Sequence, residues 1–349
     1  MAGGRKRPEF HVILLAGGSG TRFWPLSRSA RPKQLIALAG RKPLLRVSWD
    51  RVRKLAPPDR IWVVAPKSLV RQVRRQLPQL RPRHLIAEPA PRDTAPAVSL
   101  ACAALARRHP RAIVGIFPTD HVIRDERAFV RSVRVAIGAA AEGGLVCLGI
   151  RPDRPATGFG YLKCGSRPAA GSAVRVDRFV EKPDQTRARR FVSSGNYLWN
   201  AGMFVWSLER FLEELGRTAP GILRAVRAHL EGSETAWGRA RKLSVDYAVM
   251  EQAREVKVVP LDAGWDDVGS WDAAGRLREE SGWATGEHLM VDSPGSVVFG
   301  DRRFVALVDV PGVVVVDTPD ALLVVRREGS ERVKKVVDEL RRRRRTELL

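Results

Sequence analysis

Residues His11-Val12-Ile13-Leu14-Leu15-Ala16-Gly17-Gly18-Ser19-Gly20-Thr21-Arg22 predict a β-strand that runs directly into a glycine-rich turn. The first six residues are an apolar β-type run, and three of the next four are glycines. Such a turn lets backbone N–H groups approach phosphate oxygens with no Cβ in the way, while Arg22 and the nearby Lys33 supply positive charge. The stretch is neither a Walker A sequence nor a G-x-G-x-x-G fingerprint. The alternative is a flexible linker that binds nothing.

Strand-like runs and helical patterns alternate through the first half of the chain. This alternation predicts the α/β class, with a Rossmann-like, mostly parallel sheet and helices on both faces. Ligands of such sheets bind outside the carboxyl ends of the strands. Strands are predicted at 11–16, 60–65, 84–88, 113–117 and 145–150, and helices at 44–55, 68–76, 94–109 and 126–141.

The second half of the chain changes character twice. Between about 158 and 283 strands and helices are mixed, which predicts a substrate-binding insertion into the same sheet. After about 284, short β-branched runs separated by Gly, Pro and Asp predict a small β-coil or β-sandwich, followed by a charged helix from about 330. We therefore expect a large domain over 1–283 and a small C-terminal β-rich appendage over 284–349.

The formal net charge of +23 invites a nucleic-acid hypothesis, but the basic residues are dispersed along the chain. We find no helix-turn-helix, aromatic-interleaved strand or zinc pattern, so no nucleic-acid partner is expected. No apolar run reaches the length of a membrane span, and the short basic N-terminus does not resemble a signal peptide. A cytoplasmic location without a membrane partner follows as the expectation. The three cysteines are expected to be core thiols, and a homodimer is one oligomeric state left open.

Seven further segments follow the glycine-rich turn in a fixed order. With it they resemble the nucleotidyltransferases that make nucleotide sugars, and among these the mannose-1-phosphate guanylyltransferases, or GDP-mannose pyrophosphorylases. The resemblance covers most of residues 10–280, so 1–283 is expected to be the catalytic domain. The segments are Glu88-Pro89 with Asp93-Thr94-Ala95-Pro96-Ala97, Phe117-Pro118-Thr119-Asp120-His121, Thr157-Gly158-Phe159-Gly160-Tyr161, Val180-Glu181-Lys182-Pro183, Trp199-Asn200-Ala201-Gly202-Met203-Phe204, Val245-Asp246-Tyr247-Ala248-Val249-Met250-Glu251 and Gly264-Trp265-Asp266-Asp267-Val268-Gly269-Ser270-Trp271.

Four positions depart from the family pattern. Asp93 stands where Asn is usual, Thr119 where Ala is usual, Phe159 where Tyr is usual, and Asp266 where Ser is usual. A carboxylate at position 93 would repel a triphosphate unless it meets a hydrogen-bond donor, so the nucleotide preference stays open at this point.

The resemblance implies transfer of a guanylyl group from GTP to mannose 1-phosphate, giving GDP-mannose and pyrophosphate with the help of Mg²⁺. The attacking phosphate oxygen is already anionic, so positioning and charge neutralisation matter more than a general base. A His beside a metal carboxylate, such as His121, is therefore not assigned a catalytic role. The alternatives are the same reaction with another nucleotide or sugar 1-phosphate, such as glucose 1-phosphate, and a non-catalytic nucleotide-sugar-binding relative.

The resemblance also assigns roles to individual residues. An isolated Asp or Lys in these positions would otherwise be read as a turn residue or a solvated charge. The expected catalytic residues are Arg22, Lys33, Asp120, Lys182 and Asp267, with Asp120 and Asp267 as the ligands of Mg²⁺. The expected nucleotide-binding residues are Leu14, Ala16, Gly17, Gly18, Gly20, Thr21, Glu88, Thr94 and Ala95, and the expected sugar-phosphate-binding residues are Gly160, Glu181, Lys182 and Asn200.

Overall fold

A computed structural model describes residues 9–18, 20–38, 40–166, 168–281, 286–300 and 302–349. Ser19 of the glycine-rich turn and the predicted domain boundary at 283/284 lie outside these residues. The chain divides into two compact units. Unit 1 contains the N-terminal stretch that ends at Ala16, together with Trp49–Pro118 and Ile123–Trp265, and unit 2 contains Gly17–Ser48, Thr119–Val122 and Asp266–Leu349.

Strands and helices are numbered here in chain order. The strands are β1 Phe10–Leu15, β2 Ile61–Pro66, β3 Leu85–Glu88, β4 Ile113–Pro118, β5 Val122–Ile123, β6 Leu145–Ile150, β7 Tyr161–Cys164, β8 Val174–Val180, β9 Tyr197–Ser207, β10 Val256–Pro260, β11 Trp265–Asp266, β12 His288–Val291, β13 Val297–Phe299, β14 Val305–Val308, β15 Val313–Asp317 and β16 Leu322–Arg326. The α-helices are α1 Leu44–Val52, α2 Val70–Gln76, α3 Thr94–Ala106, α4 Glu126–Ala141, α5 Gln185–Ser194, α6 Leu208–Thr218, α7 Pro220–Leu230, α8 Trp271–Ser281 and α9 Lys334–Arg342.

The core of unit 1 is a sheet with strand order β3-β2-β1-β4-β9-β6-β10-β8-β7. Strands β3, β2, β1 and β4 are parallel neighbours, as are β6 and β10. The long strand β9 is antiparallel to β4, β6 and β7, and β8 is antiparallel to β7 and β10. Antiparallel pairing thus involves β7, β8 and β9, the strands of the part of the chain where the sequence pattern becomes mixed.

Helices cover both faces of this sheet, as the sequence predicts. Side chains alternate between the two faces of a sheet along each strand. Side chains on opposite faces therefore contact different helices. Ile13 of β1 shares a buried cluster with Val98 and Cys102 of α3. On β4, Phe117 instead meets Phe129 of α4 in an edge-to-face contact with ring centroids 5.5 Å apart. Burial on both sides explains why the central strands are almost continuously apolar.

The helices that follow β3 and β4 begin at aspartates. Asp93 accepts a hydrogen bond from the Thr94 N–H at the start of α3, and Asp125 accepts from the Arg127 and Ala128 N–H groups at the start of α4. These carboxylates satisfy amide donors that the first helical turn leaves without partners. The three cysteines are buried and unpaired. No helix in the described ranges is both long and apolar enough to cross a membrane.

Unit 2 is built on short strands and its own apolar cluster. β12 pairs with β14 and β13 with β15 in parallel, and β16 adds to β15 in antiparallel orientation. Parallel stacking of such short strands is typical of a β-coil, not of a sandwich of hairpins. The cluster includes Phe23, Trp271, Phe299 and Val314, and Trp271 makes ring contacts with both phenylalanines.

The arginine-rich end of the chain is only partly a solvated helix end. Arg342 and Arg343 are exposed and pair with Glu339 one turn earlier. Beyond them, however, the main-chain carbonyl of Leu348 accepts hydrogen bonds from the Trp24 indole at 2.8 Å and the Arg28 guanidinium at 3.0 Å. The last residues are therefore part of the packing of unit 2.

Candidate active site

The glycine-rich turn lines a pocket of about 350 Å³ in unit 2. This volume lies within the usual range of small-molecule sites. The pocket brings together eight of the predicted site residues, from three separate parts of the chain. They are Gly17, Gly18, Gly20, Thr21, Arg22, Lys33, Asp120 and Asp267, and they are joined by Phe23, Gln34, His121, Val268, Gly269 and Lys334.

Glycine is required at position 20 because the chain doubles back on itself there. Gly20 has a φ of +57°, and a Cβ at this position would lie 2.8 Å from both the Cβ and the backbone N of Lys33. Any side chain would therefore push the turn away from Lys33. The glycine that the sequence pattern singled out fixes the position of the lysine in the pocket.

Lys33 joins the two predicted metal-binding aspartates. Its ammonium lies 3.0 Å from Asp120 Oδ2 and donates to the main-chain carbonyl of Asp267 at 2.6 Å. Burial alone would raise the pKa of Asp120, but the charges of Lys33 and His121 and the hydrogen bond from Lys33 together outweigh burial and hold the pKa of that carboxyl below its usual value. Asp120 is therefore ionised at neutral pH. His121 Nε2 lies 3.9 Å from the other carboxylate oxygen of Asp120.

The donor set suits a hard divalent cation. Asp120 and Asp267 line the same pocket, and carboxylate oxygens are the ligands that Mg²⁺ prefers in proteins. Asp120 and Asp267 are the residues that would hold the ion.

The turn around Asp267 is conformationally strained. Val268 has a φ of +46°, a region that a β-branched residue rarely adopts. Its N–H donates to Asp266 Oδ1, so the carboxylate at the position where the family has Ser stabilises this turn. On the other side, a Cβ at Gly269 would lie 3.1 Å from Asp267 Oδ2. Backbone strain of this kind often occurs at functional sites.

Unit 1 brings together the four residues predicted to bind the sugar phosphate. A Cβ at Gly160 would lie 2.5 Å from Glu181 Oε2 and 3.4 Å from the Cβ of Asn200, so a side chain there would displace the Glu181 carboxylate. The Gly160 carbonyl accepts from the Asn200 N–H. Lys182, with a φ of +47°, turns its ammonium back to Glu181 Oε1 at 3.0 Å. Burial lowers the pKa of Lys182, but the Glu181 carboxylate more than offsets this and raises it above its usual value.

Asp246 belongs to this cluster, although sequence reasoning gave it no role. Its Oδ1 accepts a hydrogen bond from Asn200 Nδ2 at 2.8 Å, and it opens a π-helical turn, Asp246–Met250. Turns of this kind recur at functional sites. Burial, and then the neighbouring Glu181 carboxylate, raise the pKa of Asp246 to about 7. The signal available in the sequence was its place in Val245-Asp246-Tyr247, one of the segments that carry the family resemblance.

The other predicted nucleotide-binding residues of unit 1 have structural partners. Glu88 Oε1 accepts from the Arg92 N–H, and Thr94 Oγ1 accepts from the Val245 N–H. Ala95 donates its N–H to the Leu243 carbonyl. Burial raises the pKa of Glu88, although the bond from Arg92 opposes it. The Asp93 carboxylate accepts a hydrogen bond from the Thr94 N–H at the start of α3. It therefore meets a hydrogen-bond donor, which was the condition for a carboxylate at this position.

Leu14 and Ala16 lie at the end of β1 and are fully buried. Leu14 is paired with Val63 on one side and Phe117 on the other, and the Ala16 N–H donates to the Val64 carbonyl. Both residues therefore extend the sheet, and their contact with nucleotide stays a prediction.

A second group of potential metal ligands, Glu9, His11 and His109, lies in unit 1 outside the predicted site. The Trp62 indole N–H, which can only donate, points at His11 Nδ1 at 3.3 Å. A neutral His11 therefore carries its proton on Nε2, facing Glu9, and cannot offer that nitrogen to a metal. Glu9 is in turn paired with Arg60 at 2.8 Å. We assign no metal to this group.

The sequence matches two family models. Residues 11–280 match the model described as nucleotidyl transferase, and residues 286–340 match one described as a MannoseP isomerase/GMP-like beta-helix domain. Because the first match covers more than half of the chain, the protein belongs to the nucleotidyl transferase family. It is an enzyme of the nucleotidyltransferase class.

Within this family, the chain is similar to several individual proteins. The mannose-1-phosphate guanylyltransferase of Escherichia coli (strain K12) is 38% identical over 353 residues, which span 95% of this chain and 74% of that protein. Xanthan biosynthesis protein XanB of Xanthomonas campestris pv. campestris (strain B100) is 41% identical over 344 residues, 94% of this chain and 73% of that protein. The crystal structure of mannose-1-phosphate geranyltransferase from Thermus thermophilus has a TM-score of 0.87 and 35% identity, and the match covers 95% of this chain and 99% of that chain. The predicted family resemblance and fold class are confirmed.

Proposed function

We propose that the protein transfers a guanylyl group from GTP to mannose 1-phosphate, releasing pyrophosphate and GDP-mannose. The single observation that carries the chemistry is the Lys33 ammonium between Asp120 and the Asp267 carbonyl, beside a glycine-rich turn. The names of the relatives support the choice of base and sugar. Both substrates are small anions, consistent with a site that holds basic side chains and needs no nucleic acid or membrane.

The proposed reaction is an in-line displacement at the α-phosphorus. A phosphate oxygen of mannose 1-phosphate forms the new P–O bond, the bond between the α-phosphorus and the bridging oxygen to the β-phosphate breaks, and its electron pair leaves with pyrophosphate. The attacking oxygen carries no proton that must be removed, so no general base is required. The protein contributes by fixing both phosphates and neutralising their charge.

Each charged residue of the pocket then has a defined task. The N–H groups around Gly17 and Gly18 face the triphosphate, since no side chain shields them, and Arg22 and Lys33 balance its negative charge. Asp120 and Asp267 would hold Mg²⁺, which would supply charge neutralisation on the α-phosphate and its leaving group. Lys33 also keeps the carboxylate of Asp120 ionised and ready to bind a cation.

The unit 1 cluster is proposed to hold the sugar phosphate. Lys182 is paired with Glu181 and acts electrostatically on Asp246, and its side chain is 57% exposed, so it can reach a phosphate. Glu181 and Asn200 offer an acceptor and a donor for sugar hydroxyls. Asp246, whose pKa is about 7, can change between donor and acceptor near neutral pH.

The test is a coupled pyrophosphate-release assay on the purified protein with Mg²⁺. GTP and mannose 1-phosphate should give the highest kcat/KM in a panel of four nucleoside triphosphates and several sugar 1-phosphates. A clear preference for another base or sugar would establish the rival transferase reaction. Nucleotide-sugar binding without turnover of any pair would instead establish a non-catalytic relative.

A further inference from the structure

Lys334, the first residue of α9, lies in the same pocket as the glycine-rich turn. The sequence pattern gave no reason to expect it there, because it follows the turn by more than 300 positions and belongs to the β-rich part of the chain. The C-terminal helix therefore contributes a cation to the nucleotide pocket.

The start of α9 is held in place by apolar packing. Val333 and Val337, which flank Lys334 on the helix, are 3% and 4% exposed and belong to the cluster around Phe23. Phe23 directly follows Arg22 and also lines the pocket. The turn that precedes α9 is tied further by Ser330, whose Oγ accepts from the Asp272 N–H. The backbone that carries Lys334 is thus anchored on both sides by buried valines.

Lys334 also differs in its electrostatic surroundings from the arginines at the other end of the same helix. Arg341 pairs with Asp338, and Arg342 and Arg343 pair with Glu339. Within the described part of the chain, neither Lys334 nor Arg22 has a carboxylate within ion-pair distance. Lys33, the third cation of the pocket, is engaged by Asp120. Cations that share a pocket and are not paired with a carboxylate, as Arg22 and Lys334 are here, attract an anion.

We infer that Lys334 binds the β- and γ-phosphates of the nucleotide, the part that leaves as pyrophosphate. The glycine-rich turn and Arg22, which border the same pocket, are the groups assigned to the triphosphate, whereas the sugar phosphate is assigned to Lys182. This inference rests on the proposed function for the assignment of the triphosphate to this pocket. The anion-binding role of Lys334 does not depend on which base or sugar is used.

The chain offers a matched control in Lys335. It is the next residue of the same helix, carries the same charge, is exposed, and does not line the pocket. Lys334→Ala and Lys335→Ala should therefore fold alike. Lys334→Met keeps most of the aliphatic stem, and Lys334→Arg restores the charge.

The decisive experiment measures binding of inorganic pyrophosphate with Mg²⁺ by calorimetry, and the reverse reaction from GDP-mannose and pyrophosphate. Lys334→Ala and Lys334→Met should weaken pyrophosphate binding and raise its KM about tenfold, with the KM for GDP-mannose little changed. Lys334→Arg should recover most of the loss, and Lys335→Ala should match wild type.

Equal pyrophosphate binding by the Lys334→Ala and Lys335→Ala variants would overturn the inference, as would an equal rise in the KM of both reverse substrates. Failure of the proposed function has a different signature. Wild-type protein would then show no turnover with GTP and mannose 1-phosphate, while the calorimetric comparison of the variants would still report on Lys334.

Discussion

The Lys33 ammonium lies 3.0 Å from the Asp120 carboxylate, close enough for a charge-assisted hydrogen bond. Lys33 is only 6% exposed, so this contact is poorly screened by water. The lysine thus performs two functions at once, since it keeps Asp120 ionised and places positive charge beside the glycine-rich turn.

Asp120 and Asp267 should act as a unit. Changing either to Asn keeps the size of the side chain but removes the charge that would hold Mg²⁺, so each single variant should lose most turnover while remaining folded. The double variant should be little worse than either single one, because the ion is misplaced after the first loss. The measurement is kcat of the three variants across a Mg²⁺ titration. Multiplicative losses, or near-normal activity of either single variant, would exclude a shared ion.

Lys182→Ala should impair use of mannose 1-phosphate far more than use of GTP. Loss of one charge-assisted contact is worth about 1.5–3 kcal/mol, or roughly ten- to a hundredfold in kcat/KM. Lys67→Ala, an exposed lysine of unit 1 outside the cluster, serves as the control. The measurement is the apparent KM for each substrate. An equal defect toward both substrates would remove Lys182 from the sugar-phosphate site.

Asp246 should make the stability of the protein depend on pH. Its pKa is raised to about 7 in the folded state, so the folded protein retains a proton that the unfolded chain has already lost. Stability should therefore fall as the pH rises from about 4 to about 7, and level off above that. Asp246→Asn should lose this component of the pH dependence. Urea unfolding of both proteins at pH 5 and pH 8 measures it, and an identical pH dependence in the two would contradict the assignment.

The end of the chain should stabilise unit 2. Trp24→Phe keeps an aromatic ring but removes the N–H that donates to Leu348 together with part of the buried indole, so it should cost at least about 1 kcal/mol. Removal of residues 346–349 should cost more, because it also removes the acceptor of Arg28 and the packing of Leu349. Urea unfolding measures both effects. Full stability of the truncated chain would show that its end is a solvated helix terminus, as the charge pattern alone suggests.

The sequence allowed much of the fold and of the site to be predicted because both depend on local patterns. The run His11–Ala16 is apolar and strand-like whatever it pairs with, and the strand β1, Phe10–Leu15, forms there. The glycines that follow are needed for a close approach, which the contact between Gly20 and Lys33 illustrates. Asp120 and Asp267 were grouped from the family resemblance, and the structure brings them into one pocket.

What the sequence could not supply are relations between distant residues. Nothing local distinguishes Lys334 from Lys335, yet only the first lines the pocket. Asp246 lies in a segment that carries the family resemblance, but its raised pKa arises from burial and from Glu181, which lies 65 positions earlier. The direction of pairing around β9 is likewise set by long-range packing, since a buried strand has the same apolar pattern in either orientation.

The proposed reaction predicts in which product each phosphate of the nucleotide is found. With mannose 1-phosphate and Mg²⁺, a label in the α-phosphate of GTP should appear in GDP-mannose, and a label in the γ-phosphate should appear in pyrophosphate. The two products should form in equal amounts, and glucose 1-phosphate should give little of either. Release of the γ-label as inorganic phosphate, or equal transfer to glucose 1-phosphate, would contradict guanylyl transfer to mannose 1-phosphate.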